Sequence, residues 1–158
     1  MSNSERSFPW LHAWWPVVLG LGVIALESTT LFSAEQTSGP LRTIYQALFG
    51  PVSNAEWGSI HFYIRKTGHF LGYGLLALTW LRAWRLTLPR STFLTDALLA
   101  LLGTAMTASA DELHQTFLKG RTGTPWDVLI DCCGAITLQF VVYIGMRIFR
   151  ATRPARAL

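Results

Sequence analysis

The sequence predicts an all-α, polytopic membrane protein with four transmembrane helices, and three observations carry that reading. Half of the 158 residues are hydrophobic and only 14% are charged. Four apolar stretches each approach the roughly 20 residues that cross a hydrocarbon core of roughly 30 Å. The arginines collect at the ends of these stretches instead of along an aromatic-rich polar face, so the net charge of +4 points to topology and not to nucleic acid.

The first stretch runs from about Trp14 to Phe32. A signal peptide is disfavoured there, because only Arg6 stands against Glu5 before it, Glu27 interrupts it, and no small-x-small cleavage site follows. The second runs from about His61 to Leu81, the third from about Phe93 to Leu113, and the fourth from about Trp126 to Phe149. Each contains ionisable groups, so any one alone fits a buried soluble helix; four in succession argue against that. Cys132 and Cys133 are adjacent, a geometry that disfavours a disulfide between them. With no internal repeat or second composition class, residues 1–158 are expected to form a single integral membrane domain.

Charge sets the expected orientation. Arg82, Arg85 and Arg90 lie between the second and third stretches, and Arg147, Arg150, Arg153 and Arg156 follow the fourth. By the positive-inside rule both regions, and with four crossings both termini, face the cytoplasm. Ser33–Ile60 and His114–Pro125 then lie outside. Within the first of these, Leu41, Ile44, Tyr45 and Leu48 share one helical face, which fits either a short interfacial helix or a packed surface loop.

This topology gathers polar residues toward one leaflet. Lys66, His69 and Tyr73 recur at helical spacing in the outer half of the second stretch. Asp111, Glu112 and Gln115 end the third, Asp127 and Asp131 lie one turn apart at the start of the fourth, and Glu27 is late in the first. Asp96 is the exception, near the cytoplasmic end. Charge in lipid costs several kcal/mol per residue unless paired, so these groups are expected to face the bundle interior. Lys66 and Arg121 are too few to neutralise the five carboxylates Glu27, Asp111, Glu112, Asp127 and Asp131, which calls for protonation or an added cation. Gly68, Gly72, Gly74, Gly103, Ala105 and Gly134 are expected to admit close helix approach around them.

The segment "KTGHFLGYGLLAL", followed about forty residues later by "DELHQTFLKGRTGTPWDVLIDCCG", resembles the VanZ-like family of small bacterial membrane proteins. The family pattern K-x-x-H-x-x-x-Y, D-E-x-x-Q, a loop Arg, and D-x-x-x-N/D-x-x-G falls on Lys66, His69 and Tyr73, on Asp111, Glu112 and Gln115, on Arg121, and on Asp127, Asp131 and Gly134. Asp131 stands where the family often has Asn and adds a negative charge, His114 fills a variable position, and the first helix matches loosely. The resemblance implies a bacterial inner-membrane location and an association with glycopeptide (teicoplanin) susceptibility.

Three classes of function fit these residues. In the leading one, an outward-facing polar pocket recognises or modifies an anionic, lipid-linked envelope substrate among the membrane lipids. His69 with Asp111 or Glu112 then handles protons, Lys66 and Arg121 hold the anion, Tyr73 and Gln115 orient it, and Asp127, Asp131 and Glu27 complete the wall. A scaffold whose polar residues form a structural lock is the second class, and a small proton-coupled transporter the third. Each residue also has a plain structural use: His69 as a packing histidine, Asp127 as a helix-start residue, Lys66 and Arg121 as neutralising partners. The scattered His69, His114, Asp111 and Asp131 form no compact metal motif, so neither a metal nor another cofactor is expected, and the oligomeric state is open.

Overall fold

The structure is a computed structural model that describes residues 9–118, 121 and 123–152. Lys119 and the tail residues Arg153 and Arg156, which entered the charge reading, lie outside the described residues. The described residues form five α-helices and no strand: α1 (Pro9–Glu27), α2 (Ala34–Phe49), α3 (Asn54–Thr87), α4 (Phe93–Thr116) and α5 (Pro125–Thr152), with one 3₁₀ turn at Thr30–Phe32.

Local chemistry sets these bounds. α1 stops five residues earlier than the apolar run suggests, where Ser28, Thr29 and Thr30 follow each other and the Thr29 hydroxyl donates to the Leu26 carbonyl at 2.7 Å. α2 begins at Ser33, whose hydroxyl accepts from the Gln36 amide at 3.4 Å, and ends at Gly50 with φ of 88°, a left-handed conformation that favours glycine. A capping box starts α3: the Ser53 hydroxyl accepts from the Glu56 amide at 3.3 Å, and the Glu56 carboxylate accepts from the Ser53 amide at 3.1 Å. Pro89 ends α3, since the residue before a proline is driven out of helical geometry. Pro125 opens α5 at the first helical position, where its missing N–H costs nothing.

α3 packs against α1, α4 and α5 and is the centre of the bundle. Among the described residues only α1, α4 and α5 are long and apolar enough to cross a membrane, so the candidate spans there number three and not four. The stretch expected to cross at His61–Leu81 lies inside α3, where Arg65, Lys66 and His69 dilute the apolar run. Its central place supplies the physical reason: a helix surrounded by partners spends its surface on them and does not need an apolar outer face. The flanking helices do the reverse. Val18 and Leu26 on α1, Leu98 and Met106 on α4, and Phe140 and Val141 on α5 are each more than half exposed. So much outward apolar surface is consistent with a membrane protein.

Small residues close the bundle at several places. A Cβ on Gly134 would lie 2.0 Å from the Phe70 carbonyl oxygen, one on Gly74 2.7 Å from Leu138 Cδ1, and one on Gly103 2.9 Å from the Trp80 ring. Gly68 and Gly72, expected to do the same, do not: a Cβ on either meets nothing within 4 Å. At the other end of α3, Trp14 meets Trp80 and Trp84 edge to face with centroids 5.6 and 4.9 Å away.

Candidate functional site

The helical period of α3 turns Lys66, His69 and Tyr73 toward α4 and α5, and α5 runs parallel to α3 at this contact. Lys66 Nζ donates to Asp127, and one turn further His69 Nδ1 lies 3.4 Å from Asp131 Oδ1. Tyr73, 1% exposed, donates its hydroxyl to Asp111 Oδ2 at 2.8 Å. Gln115 Nε2 donates to the same oxygen at 3.0 Å. The roughly 100° between successive helix positions sends Asp111 toward α3 and Glu112 toward the start of α5, where Glu112 Oε2 accepts from the Thr124 amide at 2.7 Å. Both acids are buried, as are Asp127 and Asp131.

These acids are not equally satisfied. Asp127 has Lys66 and sits in the first turn of α5, where the helix dipole favours a carboxylate. Asp111 Oδ1, Glu112 Oε1, both Asp131 oxygens and His69 Nδ1 are buried without a hydrogen-bond partner among the described residues. His69 and Asp131 are close enough to attract each other but not aligned to bond. A cavity of about 20 Å³ lies among His69, Tyr73, Asp111, Gln115, Glu27 and Arg121, with Gly68 and Gly72 on its wall. It holds one water-sized group. The two glycines therefore make room for the cavity instead of drawing helices together.

Beside it lies a larger, more open hollow of about 270 Å³ that shares Glu27, Gly68, His69 and Arg121 with the small cavity and adds Arg65 and the α2 residues Thr37 and Leu41. α2 is held over this hollow by hydrogen bonds from Trp57 Nε1 to Ser38 at 2.8 Å, between Thr37 and His61 at 3.2 Å, and from Arg42 to Asn54 at 2.8 Å.

Residues 14–149 match the family model VanZ/LLP1. The chain belongs to the VanZ/LLP1 family. No curated protein and no solved structure matches it. The VanZ/LLP1 match spans every helix that contributes to the site, from Glu27 on α1 to Asp131 on α5.

Within this VanZ/LLP1 chain, the residues singled out from sequence fall into two groups. His69, Tyr73, Asp111, Glu112, Gln115 and Asp131 come together, with Lys66 and Asp127 as a satisfied pair at their edge. Among the described residues Arg121 does not pair with a carboxylate. Its guanidinium donates to the carbonyls of Glu27 and of Thr29, the latter at 2.7 Å, closing the C-terminal end of α1. Burial, and then the like charge of Arg65, lower the Arg121 pKa from its ordinary value. Glu27 is exposed at the end of α1 and lines both cavities. His114 points away and shares a hydrogen bond of 2.8 Å with Ser28.

Arg65 is the residue that sequence reasoning missed. It lines the larger hollow and makes no hydrogen bond or ion pair among the described residues. Its signal was present: an arginine beside Lys66, inside an otherwise apolar stretch, is costly in lipid and marks a cavity or a partner.

Proposed function

We propose that this VanZ/LLP1 protein is a single four-crossing domain of the bacterial inner membrane that recognises or modifies an anionic, lipid-linked envelope molecule at the outer leaflet. α1, the 61–81 part of α3, α4 and α5 are the crossings, both termini are cytoplasmic, and α2 lies in the outer interface. Ile44, Leu48 and Phe49, exposed on α2, then dip toward lipid. Arg82 and Arg85 fall on the cytoplasmic side, as positive-inside placement requires.

The observation that carries the reading is the pair of joined cavities. The larger has the size of a small headgroup site, a cation in Arg65 with no partner among the described residues, and an open side; the smaller brings His69 and the buried Asp111 to its floor. Arg65, more than Lys66 or Arg121, is the residue to hold the anion, because the other two are engaged. His69 with Glu112 or Asp111 handles protons, and Tyr73 and Gln115 hold Asp111 in place.

The test separates binding from folding. In nanodiscs, Arg65→Gln is expected to weaken binding of phosphatidylglycerol or a polyprenyl phosphate about tenfold, since a charge-assisted contact contributes about 1.5 kcal/mol or more. Its folded yield is expected to match wild type. Unchanged binding by both lipids would remove the anionic-substrate reading. In cells, His69→Ala is expected to abolish any effect of the protein on teicoplanin susceptibility while inserting normally; equal loss of insertion would favour the structural lock. Reporter fusions after Arg85 and after Lys119 test topology, and an external signal at Arg85 overturns it.

A further inference from the structure

We propose that His69, Glu112 and Asp131 form a binding site for one divalent first-row metal ion, Zn²⁺ or Mn²⁺ by donor chemistry. The three residues come from α3, α4 and α5, and one ligand atom from each lies within 4.8 Å of the others. Proximity of acids alone would carry little. Here the atoms also lack partners among the described residues: Asp131 is 0% exposed with both oxygens unbonded, Glu112 is 5% exposed with Oε1 unbonded, and His69 Nδ1 is unbonded beside them.

Burying a carboxylate without a partner costs several kcal/mol, and Lys66 and Arg121, the cations expected to neutralise these acids, are committed elsewhere. Lys66 is held by Asp127, and Arg121 by the carbonyls of Glu27 and Thr29. A divalent ion with two carboxylates and a neutral imidazole leaves the site with no net charge. An imidazole among the donors selects against Mg²⁺ and Ca²⁺, and the absence of thiolate from the set suits Zn²⁺ or Mn²⁺.

Two further features fit an ion. The Thr124 amide fixes Glu112 Oε2 and leaves Oε1 turned inward, the outer support that ligating carboxylates ordinarily have. His69 also borders the cavity of about 20 Å³, room for a water to complete three protein ligands. Tetrahedral ligands at about 2.1 Å are about 3.4 Å apart, so atoms that lie within 4.8 Å of one another close by up to about 1.4 Å around the ion. The site stands on this geometry alone, whether or not the larger hollow takes an anionic lipid; if it does, the ion is what an anionic oxygen would meet.

Full-length protein, purified in mild detergent and stripped with chelator, is titrated separately with zinc and manganese chloride, then desalted and analysed for metal and for Tm. One equivalent of one of the two ions and a Tm rise of about 5 °C at hundredfold excess over Kd are expected. Asp131→Asn and Glu112→Gln, close isosteres, should each weaken binding about a hundredfold, and the exposed Glu56→Gln should not. Less than about 0.1 equivalent of either ion in wild type, or full binding in both variants, overturns the site. If the variants do not fold, X-ray absorption of the wild-type complex decides: nitrogen and oxygen neighbours including an imidazole support it, and sulfur from Cys132 or Cys133 overturns it.

Discussion

Asp96 and Asp131 are equally buried, at 2% and 0% exposure, and sit at opposite ends of the bundle. Asp96 has all that a buried acid needs. It lies in the first turn of α4, where the helix dipole favours it, accepts from the Ser91 hydroxyl, and has Arg85 Nη1 at 3.8 Å. Asp131 lies a turn and a half inside α5 with His69 and the like-charged Glu112 nearby and neither oxygen bonded among the described residues. The first arrangement explains itself as structure. The second is stable only because the surrounding helices impose it, and such imposed discomfort is where binding chemistry is to be sought.

The largest expected effect removes the comparison altogether. Gly134 stands three residues after Asp131 and presses on Phe70, the residue after His69. Gly134→Ala would drive a methyl into a backbone carbonyl, which only separation of α3 and α5 can relieve; a loss of about 3 kcal/mol is expected, read as lower Tm and folded yield. A wild-type Tm would show that this crossing does not hold the site together.

Next come the aspartates themselves. Asp96→Asn should cost about 1–3 kcal/mol, because a charge-assisted network loses its acceptor. Asp131→Asn should cost no stability, or add some, since it removes a buried charge without a partner. Binding at the site should fail in Asp131→Asn alone. Thermal unfolding of the two variants side by side checks this, and equal destabilisation would make Asp131 as structural as Asp96.

A smaller effect sharpens the same contrast. Gly72→Ala should stabilise α3 by up to about 1 kcal/mol through helix propensity, since nothing lies within 4 Å of the new methyl. The methyl enters the water-sized cavity, so ligand or metal binding should fall as Tm rises. Opposite signs in one variant would mark a wall of a site rather than a packing position.

The smallest expected effect lies outside the spans. The Ser53 hydroxyl and amide lower the Glu56 pKa below 4.5. Because the folded value is depressed, its capping contribution is complete above the unfolded pKa and disappears as pH falls through the folded one. Amide exchange at Glu56 and Trp57 should therefore quicken below about pH 4.5 in wild type and show no such step in Glu56→Gln.

The faces of the site were legible because helical spacing is a strong signal: Lys66, His69 and Tyr73 on one helix, and Asp127 and Asp131 on another, met as their intervals of three and four imply. What could not be read were partners that leave no pattern. Arg121 bonds backbone carbonyls, which every residue possesses. Gly68 and Gly72 have the composition of packing glycines and the surroundings of a cavity wall. α2 extends from Ala34, well before the apolar face at Leu41–Leu48, because its first turns are polar and capped by Ser33 instead of being held by an apolar stripe. α3 hid its full length for the related reason that its ends are polar.

That length has a consequence of its own. At 1.5 Å per residue, the 34 residues of α3 measure about 51 Å, against roughly 30 Å of hydrocarbon. With α3 as a crossing, as proposed above, about 20 Å of rod would protrude from a bilayer or be taken up by tilt. Trp57 and His61 grip α2 on one such overhang, and Arg82 grips the carbonyls of His12 and Ala13 on the other. On that reading α3 would serve as a gauge of membrane thickness: a thicker or thinner bilayer would change its tilt, and with it the height of α2 over the hollow.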